Sequence, residues 1–444
     1  MITSRGYSIF KDSCDVANIK KELTVSPKGY DIGPKVVFKL FLESETKLYV
    51  PKYYGLHKFG IPEKIKVGNG LALDPTIMFT GSLRKEQEVP VQKVVDACHD
   101  PLQMGGILNV FCGGGKTTMA LYIITVLQRK TLIVVHKDFL LEQWKERIQQ
   151  FLPAARIGLI KAKTIDVIDK DIVLASLQSL SMKEYDPAIF EQFGTVIVDE
   201  VHHTSAEVFS KALAKLCFRY TIGLTATATR KDGLSKVFQW YLGRIVHKAE
   251  KRSDFAKVHI VNYFVDDKDY CEESTIMGSK PNVSRMLNNI CEYAPRNTLI
   301  VKLVVDILSK EPKRKMIILS DRRGHLVTLA EMLTSANFDV GIYMGGMKQT
   351  VLTECGNRQI ILATYAIASE GYDQPGLNTL VLASPRSDVV QSVGRILRDK
   401  PEDRTYVPLI VDIIDTFNIF ERQGQKRITY YEKCNWDVLD VEST

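Results

Sequence analysis

The amino-acid sequence predicts an α/β protein with two parallel-sheet domains in tandem, preceded by a small β-rich domain. Residues 79–250 and 296–444 alternate short β-branched runs with helical stretches, which is typical of parallel strands joined by crossover helices. Residues 251–295 are less regular, and we interpret them as a linker and the start of the second domain. Residues 1–78 place short apolar and aromatic runs between Gly and Pro turn signals, and this pattern favours strands and turns.

The composition is that of an ordinary globular protein. The chain has 444 residues, 45% of them hydrophobic and 25% charged, which is enough for roughly two to four domains with sizeable cores. The N-terminal stretch MITSRGYSIFKDSCD lacks the apolar run of a signal peptide. No run of about 18 uninterrupted apolar residues occurs, so we expect no membrane contact and an intracellular protein that is not secreted.

The cysteines and the charge exclude some kinds of site. None of the eight cysteines forms a C-x-x-C pair, so neither a structural zinc site nor a disulfide framework is expected. The formal net charge of +7 is compatible with a nucleic-acid partner but does not prove one.

Lysines and tyrosines interleave in the stretch KLYVPKYYGLHKFG, residues 47–60 of the β-rich segment. Lysines on phosphates and tyrosines stacked on bases would make this stretch an accessory nucleic-acid surface. The alternative is a small β-rich domain with an ordinary core and solvated lysines, and the sequence favours neither of the two.

A glycine-rich loop in NVFCGGGKTTMA, residues 109–120, lies between a predicted strand and a predicted helix. Backbone N–H groups and a helix N-terminus in this arrangement are typical of a phosphate site. Lys116 would contact the β- and γ-phosphates, and the Thr117 hydroxyl would bind Mg²⁺. The usual pattern has a glycine where this chain has Val110, so the loop alone also fits a simple Gly-rich turn. The candidate phosphate-binding residues are Gly113, Gly114, Gly115, Lys116, Thr117 and Thr118.

Two carboxylates follow the β-branched run of TVIVDEVHH, at the end of a strand where open α/β sheets bind their ligands. Asp199 could hold the Mg²⁺ that Thr117 also binds, and Glu200 could orient and deprotonate a water molecule. The alternative is a solvated acidic turn. A metal site at His202 and His203 is not favoured, because no third ligand suggests itself.

The stretch DVVQSVGRILRDK, residues 388–400, predicts a helix on which Gln391, Arg395 and Arg398 share one face. Such a face suits a triphosphate, and the two arginines could stabilise the charge on a transferred phosphoryl group. On its own, the stretch favours a solvated basic face.

Together these motifs resemble the superfamily 2 helicases and translocases of the DExH type. DEVHH supplies the Asp-Glu-x-His signature, and residues 391–398 supply the Gln-x-x-Gly-Arg-x-x-Arg motif. The resemblance covers about residues 80–410 and implies two RecA-like domains that bind ATP and Mg²⁺ in the cleft between them. The CGGGKT form of the loop resembles that of XPB-like and UvsW-like members, including those of phages and large DNA viruses.

The resemblance also implies roles for single residues in further motifs. LRKEQ resembles the motif that reads adenine, GLTATATRKDG the motif that couples hydrolysis to strand movement, and LATYAIASEGYDQP a motif that contacts both strand and nucleotide. The residues are Gln87 for adenine; His202, Thr225 and Thr227 for coupling; Thr364 for the strand; and Gly371 and Asp373, with Gln391, for the nucleotide.

Three further stretches resemble the strand-contacting motifs of the family, which bind phosphate and sugar rather than base edges. In VVHKDFLLEQW the family often has Pro-Thr in place of His136 and Lys137, so the contact at that point is open. The alternative for each candidate is a helix cap or a buried polar residue. The candidates are Lys137, Gln143, Ser176, Gln178, Ser320 and Arg323.

We therefore expect an ATP- and Mg²⁺-dependent helicase or translocase that acts on nucleic acid, with DNA favoured over RNA. The resemblance places it in repair, recombination, replication or transcription, in a host nucleus or cytoplasm or in a virion if the source is viral. One alternative is an RNA helicase that unwinds or releases transcripts. The other is a non-enzymatic nucleic-acid-binding subunit with a vestigial ATP site. The sequence indicates no particular protein partner.

Overall fold

The computed structural model shows two compact units, Met1–Lys251 and Arg252–Thr444, and each is described by itself. The residues described are 1–27, 37–111, 113–200, 205–226, 233–249, 254–276, 280–345, 347, 349–370, 374, 376–399 and 401–441.

The N-terminal segment of the first unit forms a small antiparallel sheet with two helices. Within the described residues, its four strands follow the order β1-β2-β6-β5, and β3 pairs with β4 separately. Burial alternates along β6, where Leu48 and Val50 are buried, whereas the first four residues of β2 are all buried and Phe10 is exposed. The elements are β1 Ile2–Thr3, β2 Gly6–Phe10, α1 Val16–Glu22, β3 Thr24–Val25, β4 Phe38–Lys39, β5 Leu42–Glu43, β6 Lys47–Val50 and α2 Lys52–Phe59.

The rest of the first unit is an α/β sheet. Its described strands follow the order β10-β9-β11-β8-β12-β13-β7-β14, and all pairs are parallel except β9 with β10. The central strands are buried along their whole length, as expected of a parallel sheet covered on both faces. The elements are α3 Lys85–His99, β7 Gly105–Asn109, α4 Lys116–Leu127, β8 Thr131–Val135, α5 Asp138–Phe151, β9 Ile157–Lys161, β10 Thr164–Asp166, β11 Ile172–Ser176, α6 Leu177–Met182, β12 Thr195–Val198, α7 Ala206–Leu213, β13 Tyr220–Thr225, α8 Ser235–Leu242 and β14 Ile245–Lys248.

The N-terminal segment and this sheet share one hydrophobic core. Ile2 and Leu48 belong to the same buried cluster as Leu132 of β8 and Phe209 of α7. The ammonium of Lys52 is buried and donates to Phe218 O at 3.0 Å and Arg219 O at 2.9 Å. The structure thus groups the segment with the first sheet, and its role as an accessory domain stays a prediction.

Helix α2 replaces the strand-like conformation that the sequence suggested for PKYYG. Pro51 precedes the helix with a φ of −51°, and Gly60 follows it with a φ of +77°. Burial of Tyr53 and Tyr54 on the core side outweighs the β-propensity of the aromatic residues. These two tyrosines are therefore core residues, as in the second of the two alternatives that the sequence left open, and they are not available to stack on nucleobases.

The second unit is built on a parallel sheet of its own. Its described strands follow the order β19-β20-β18-β21-β22-β15-β23. The elements are β15 Lys257–Tyr263, α9 Lys268–Cys271, β16 Thr275–Ile276, β17 Lys280–Pro281, α10 Val283–Glu292, α11 Ala294–Lys310, β18 Met316–Ser320, α12 Arg323–Ser335, β19 Val340–Tyr343, α13 Gln349–Gly356, β20 Ile360–Thr364, α14 Tyr365–Glu370, β21 Thr379–Leu382, α15 Val390–Val393, β22 Leu409–Asp415, α16 Asn418–Lys433 and β23 Asp437–Asp440.

Strand β15 lies in the stretch that the sequence assigned to a linker and the start of the second domain. All seven of its residues pair with β22, and its other edge pairs with β23. His259 and Asn262 interrupt its apolar pattern, which is why the sequence did not identify it as a sheet strand. Residues 257–263 are therefore part of the second sheet rather than a connection.

Two buried ion pairs fasten helices to strand β22. The guanidinium of Arg296 on α11 binds both carboxylate oxygens of Asp415, at 2.7 and 2.9 Å. Arg427 on α16 binds Asp412 at 2.8 Å, and Tyr431 OH donates to the same carboxylate. Each pair is matched and hydrogen-bonded, and loss of one partner from such a pair typically costs about 3–5 kcal/mol of folding free energy.

The predicted α/β class with two parallel sheets is confirmed. Among the described residues, no helix is long and apolar enough to cross a bilayer. No group of three or more His, Cys, Asp and Glu side chains that could by itself hold a metal ion occurs in that part of the chain. No two of the seven described cysteines are joined in a disulfide.

Candidate nucleotide site

The candidate site lies at the carboxyl ends of three neighbouring strands of the first sheet, β12, β13 and β7. The backbone of the glycine loop is attached there, because Val110 N donates to Thr225 O at 3.0 Å. The loop then leads into helix α4, which begins at Lys116. Carboxyl ends of parallel strands meet at one edge of a sheet, and this brings the loop and the acidic pair of β12 together.

The loop adopts a conformation that only glycines accommodate. Gly113 and Gly115 have φ values of +83° and +81°, in the left-handed region. A Cβ at Gly114 would stand 2.3 Å from Cγ1 of Val110, and one at Gly115 would stand 2.0 Å from Nε2 of Gln87. Val110, the departure from the usual loop pattern, is buried and packs beneath the loop. Cys112 lies outside the described residues.

Lys116 is the first residue of α4, and the acceptors near its ammonium include Glu200 and Val110 O. It forms an ion pair with Glu200, Nζ to Oε1 at 3.1 Å, and donates to Val110 O at 3.4 Å. The side chains of Lys116 and Glu200 are only 10% and 15% exposed, so their charges interact in a partly desolvated setting. Thr117 and Thr118 follow in the first turn of α4 and are half-buried.

Asp199 is buried, with 8% of its surface exposed. Its Oδ1 accepts from Glu200 N at 2.9 Å, and its Oδ2 accepts from the indole Nε1 of Trp144 at 2.9 Å. Burial, and then the charge of Glu200, raise the pKa of Asp199 to about 6, while Lys116 and Trp144 oppose that rise. Glu200 has a φ of +48°, a strained backbone that turns the chain sharply after β12.

Trp144 is a site residue that the sequence did not reveal. It belongs to the apolar face of α5 with Leu140, Leu141 and Ile148, which reads as ordinary helix core. Because a buried indole N–H needs an acceptor, the sequence indicates that Trp144 has a hydrogen-bond partner, but it does not identify that partner.

Gln87 contacts the glycine loop from the first turn of α3. Its Nε2 donates to Gly114 O at 3.1 Å, and its Oε1 accepts from Arg84 N at 2.9 Å. Arg84, which the sequence analysis overlooked, donates from its guanidinium to Gly113 O at 3.4 Å. The Gln87 amide therefore braces the loop from behind, and its contact with adenine stays a prediction.

The described part of the site fits a nucleotide phosphate with a divalent cation. The backbone of the loop has no Cβ to obstruct an approach at Gly113, Gly114 or Gly115. A buried carboxylate with two donors keeps acceptor capacity for a cation, because a carboxylate offers about four lone-pair sites. Thr225, predicted to couple hydrolysis to movement, ends β13 directly behind the loop. His202, His203, Thr227, Gly371 and Asp373 lie outside the described residues.

The arginine motif of the second unit differs from the predicted helix. Helix α15 covers only Val390–Val393, and the next residues form turns in which Arg395 N bonds Ser392 O. Gly394 weakens the continuation of the helix. Arg395 is 5% exposed, and its Nε donates to Ala368 O. Gln391 and Arg398 are half-buried, and the prediction that the three share one face of a continuous helix is wrong.

The strand-contact candidates of the first unit sit at or near helix starts. Lys137 precedes α5 and is half-buried, and burial lowers its pKa. Gln143 is half-buried within α5. Ser176 is the N-cap of α6 and accepts from Ser179 N at 3.4 Å, as the alternative for this residue predicted. Gln178 is exposed, with its Nε2 3.2 Å from Met182 Sδ.

In the second unit the candidates divide between surface and core. Ser320 is 0% exposed, and its Oγ bonds His325 Nδ1 at 3.0 Å and accepts from Arg322 N at 3.1 Å. The strand contact predicted at Ser320 is wrong for this conformation, because the hydroxyl does not reach the surface. Arg323 is exposed and donates to Gly345 O at 3.0 Å, and Thr364 is half-buried at the end of β20.

Comparisons with known proteins agree with the resemblance drawn from the motifs. The family model described as "Type III restriction enzyme, res subunit" matches residues 80–230. The model described as "Helicase conserved C-terminal domain" matches residues 299–400. Each model covers a different one of the two units.

Relatives from viruses and phages extend the match to nearly the whole chain. A protein of Acanthamoeba polyphaga mimivirus named as a putative ATP-dependent RNA helicase is 34% identical, over 98% of this chain and 86% of its own length. A probable helicase of Escherichia phage T5 is 27% identical, over 81% of this chain and 77% of its own length.

A solved structure shares the fold. The S. cerevisiae protein Dbp5, determined with RNA and ADP BeF3, has a TM-score of 0.55 at 12% identity and covers 81% of this chain and 90% of its own. Taken together, the motifs, the family models and the 34% identical relative show that this chain belongs to the superfamily 2 helicases, nucleic-acid-dependent ATPases, and is related to those of phages and large DNA viruses.

Proposed function

We propose that this helicase hydrolyses ATP with Mg²⁺ at the loop between β7 and α4 and uses the energy to move along a nucleic-acid strand, with DNA as the first candidate. The observation that carries the proposal is the partly desolvated ion pair of Lys116 with Glu200 next to buried Asp199. A lysine, a ligand carboxylate and a second carboxylate at one strand end are the groups that phosphoryl transfer requires.

The proposal assigns a separate role to each group of residues at the site. The N–H groups of Gly113–Thr118 and the ammonium of Lys116 bind phosphate oxygens, with Thr117 and Asp199 as ligands of the cation. Mg²⁺, when bound, supplies positive charge that stabilises the transferred phosphoryl group. Gln87, Gln391, Gly371 and Asp373 remain candidates for contacts with the rest of the nucleotide.

Glu200 is the proposed general base. Its Oε1 lies 3.1 Å from the Lys116 ammonium, so this oxygen is occupied as long as the ion pair persists. A phosphate oxygen of the nucleotide would compete with Glu200 for the Lys116 ammonium. Once Lys116 binds the phosphate, the Glu200 carboxylate could accept a proton from water. The nucleotide would thereby activate its own base. Arg395 and Arg398 of the second unit are proposed to stabilise the transition state.

Steady-state ATPase assays test the proposal, with single-stranded DNA, duplex DNA and RNA as separate stimulators. We expect stimulated hydrolysis by the wild-type protein and a loss of at least roughly a hundredfold in Lys116→Ala. Lys211→Ala is the matched control, because Lys211 lies in the same unit with a 60% exposed side chain and a surface partner in Glu207. If the wild type and Lys116→Ala hydrolyse ATP equally slowly with every stimulator, the proposed motor activity is overturned and a vestigial ATP site is favoured.

RNA is the second candidate substrate, and the relatives supply the observation that favours it. The mimivirus relative and one from African swine fever virus are both named putative ATP-dependent RNA helicases. The contacts proposed for Lys137, Gln143, Gln178, Arg323 and Thr364 go to phosphate and sugar, and the phosphates are common to both polymers. Stimulation by RNA alone in the same assay would replace DNA by RNA in the proposal.

The N-terminal segment is proposed as an accessory nucleic-acid surface on Lys47 and Tyr49 of the stretch 47–60, together with Arg5 and Phe10. On the sheet side away from the core, Lys47 Nζ lies 4.7 Å from the centre of the Phe10 ring, and the guanidinium of Arg5 lies 5.6 Å from that of Tyr49. Phe10 is exposed, so base stacking and phosphate contacts are both feasible there. A Phe10→Ala, Lys47→Ala variant that binds single strands as tightly as wild type at every salt concentration would leave this surface without that role.

A further inference from the structure

Trp144 connects helix α5 to the acidic end of strand β12. Its indole is 2% exposed and packs with Leu140, Leu141 and Ile148. The indole Nε1–H donates to Asp199 Oδ2 at 2.9 Å. Packing alone would be satisfied by a ring without a donor, so the hydrogen bond is a separate property of the residue.

The Asp199 carboxylate is held from both of its oxygens. Oδ2 accepts from Trp144, Oδ1 accepts from Glu200 N at 2.9 Å, and the Asp199 backbone N–H is anchored to Val134 O at 3.0 Å. These three bonds come from helix α5, from the turn after β12 and from strand β8. They fix the plane of the carboxylate and still leave each oxygen with capacity for a further partner.

We propose that Trp144 is a positioning residue whose indole N–H orients the Asp199 carboxylate for the divalent cation that accompanies ATP. This inference rests on the proposed function, in which Asp199 is a cation ligand. A ligand oxygen that is already oriented does not lose rotational freedom when the cation binds. Groups that hold metal ligands in this way typically change metal affinity or activity by 10–100-fold when they are removed.

Two substitutions separate the hydrogen bond from the packing. Trp144→Phe removes the N–H and part of the ring. Replacement of Trp144 by benzothienylalanine keeps the shape of the indole and exchanges only the N–H for sulfur. Trp240→Phe is the matched control, because Trp240 is a partly buried tryptophan of the same unit that packs edge-on against Tyr54.

Binding of a fluorescent ADP analogue to the full chain provides a readout other than turnover. The analogue is titrated at a series of Mg²⁺ concentrations, which gives the Mg²⁺ concentration for half-maximal binding, and also with EDTA, which gives the affinity without the cation. Thermal unfolding of each protein without ligand measures the effect on the fold. A purely structural role would lower both affinities, whereas a positioning role acts on the Mg²⁺ dependence.

We expect the half-maximal Mg²⁺ concentration to rise roughly tenfold or more in both Trp144 variants. The affinity in EDTA and the behaviour of Trp240→Phe should match the wild type. If Trp144→Phe unfolds, the benzothienylalanine variant decides the question. A wild-type Mg²⁺ dependence in that variant would overturn the role of Trp144, whereas wild-type protein with no Mg²⁺-dependent binding would overturn the proposed function itself.

Discussion

Gly115 has the least room for change in the glycine loop. Its φ of +81° lies in the left-handed region, and an added Cβ would stand 2.0 Å from Gln87 Nε2. The backbone conformation alone costs a non-glycine residue about 1–2 kcal/mol, and relief of the clash would displace the amide that braces Gly114. We expect Gly115→Ala to weaken nucleotide binding by at least about tenfold, as measured by titration of a fluorescent ATP analogue.

Gly68→Ala is the control for that substitution. Gly68 lies in the same unit, its φ is outside the left-handed region, and an added Cβ would have Gly70 N at 3.8 Å as its neighbour. This variant should bind the analogue like the wild type. Equal affinities of the two glycine variants would mean that the loop does not bind the phosphates.

Single residues differ in how far the sequence could predict their surroundings. The glycines and Lys116 were predictable, because left-handed backbone and an extra positive charge in a strand-to-helix loop are local requirements. Ser320 was not, because its burial depends on His325 closing over it from the next helix. The partner of Trp144 was equally hidden, since Asp199 is 55 positions away along the chain.

Elements were predictable where a run of one residue type decides them. The buried strands β8, β12 and β20 consist of β-branched and aliphatic residues, and so does β18 apart from Met316 and Ser320; short runs of this kind are the basis on which the sequence predicted parallel sheets. The helix expected for residues 388–400 was not confirmed. The prediction required the helical spacing of Gln391, Arg395 and Arg398 to continue past Gly394, but helix α15 ends at Val393. In place of that helix, backbone N–H groups donate to carbonyls three residues earlier in the chain, and the Arg395 side chain donates to Ala368 O.

His325 joins helix α12 to strand β18 and to helix α11. Its Nδ1 bonds Ser320 Oγ at 3.0 Å, and its Nε2 bonds Asn297 Oδ1 at 2.9 Å. Burial, and then the charge of Arg296, lower its pKa to about 3. The unfolded chain therefore binds more protons than the folded one between that value and the ordinary value of 6.5. Stability from this residue is complete above 6.5 and is lost as the pH falls.

We expect the free energy of unfolding of the second unit to fall by roughly 1.4 kcal/mol more per pH unit in the wild type than in His325→Gln, below about pH 6. Denaturant unfolding at several pH values between about 7 and 5 measures the two slopes. The other titrating groups are common to both proteins and cancel in the difference. Parallel slopes would show that His325 titrates normally in the folded unit.

Within the whole molecule, Lys52 fastens the N-terminal segment to the first sheet. Its ammonium donates to two backbone carbonyls, at Phe218 and Arg219, far along the chain. Lys52→Met keeps most of the apolar stem but leaves those buried acceptors without this donor, so we expect a loss of about 1–3 kcal/mol in the free energy of unfolding of the first unit. Denaturant unfolding measures that loss.

Lys58→Met serves as the comparison for Lys52→Met. Lys58 lies on the same helix, but its partner is Glu22 at the surface, with side chains 32% and 40% exposed. Surface pairs of this kind contribute about 0–1 kcal/mol. Equal stability of the two variants would mean that the segment is attached to the sheet by its apolar core alone.

We expect nucleotide binding to depend on residues of the first unit, and hydrolysis to depend on residues of both units. The first unit holds Lys116, Asp199 and Glu200, whereas the predicted transition-state arginines belong to the second. Arg395 is buried against Ala368 O, so its loss would also disturb the fold, and half-buried Arg398 is the better probe.

We expect Arg398→Ala in the full chain to bind the ATP analogue like the wild type and to hydrolyse ATP roughly a thousandfold more slowly in the presence of nucleic acid. Arg358→Ala removes an exposed arginine of the same unit, 2.7 Å from Asp339, and should leave both properties unchanged. Equal stimulated rates in these two variants would exclude Arg398 from the chemistry.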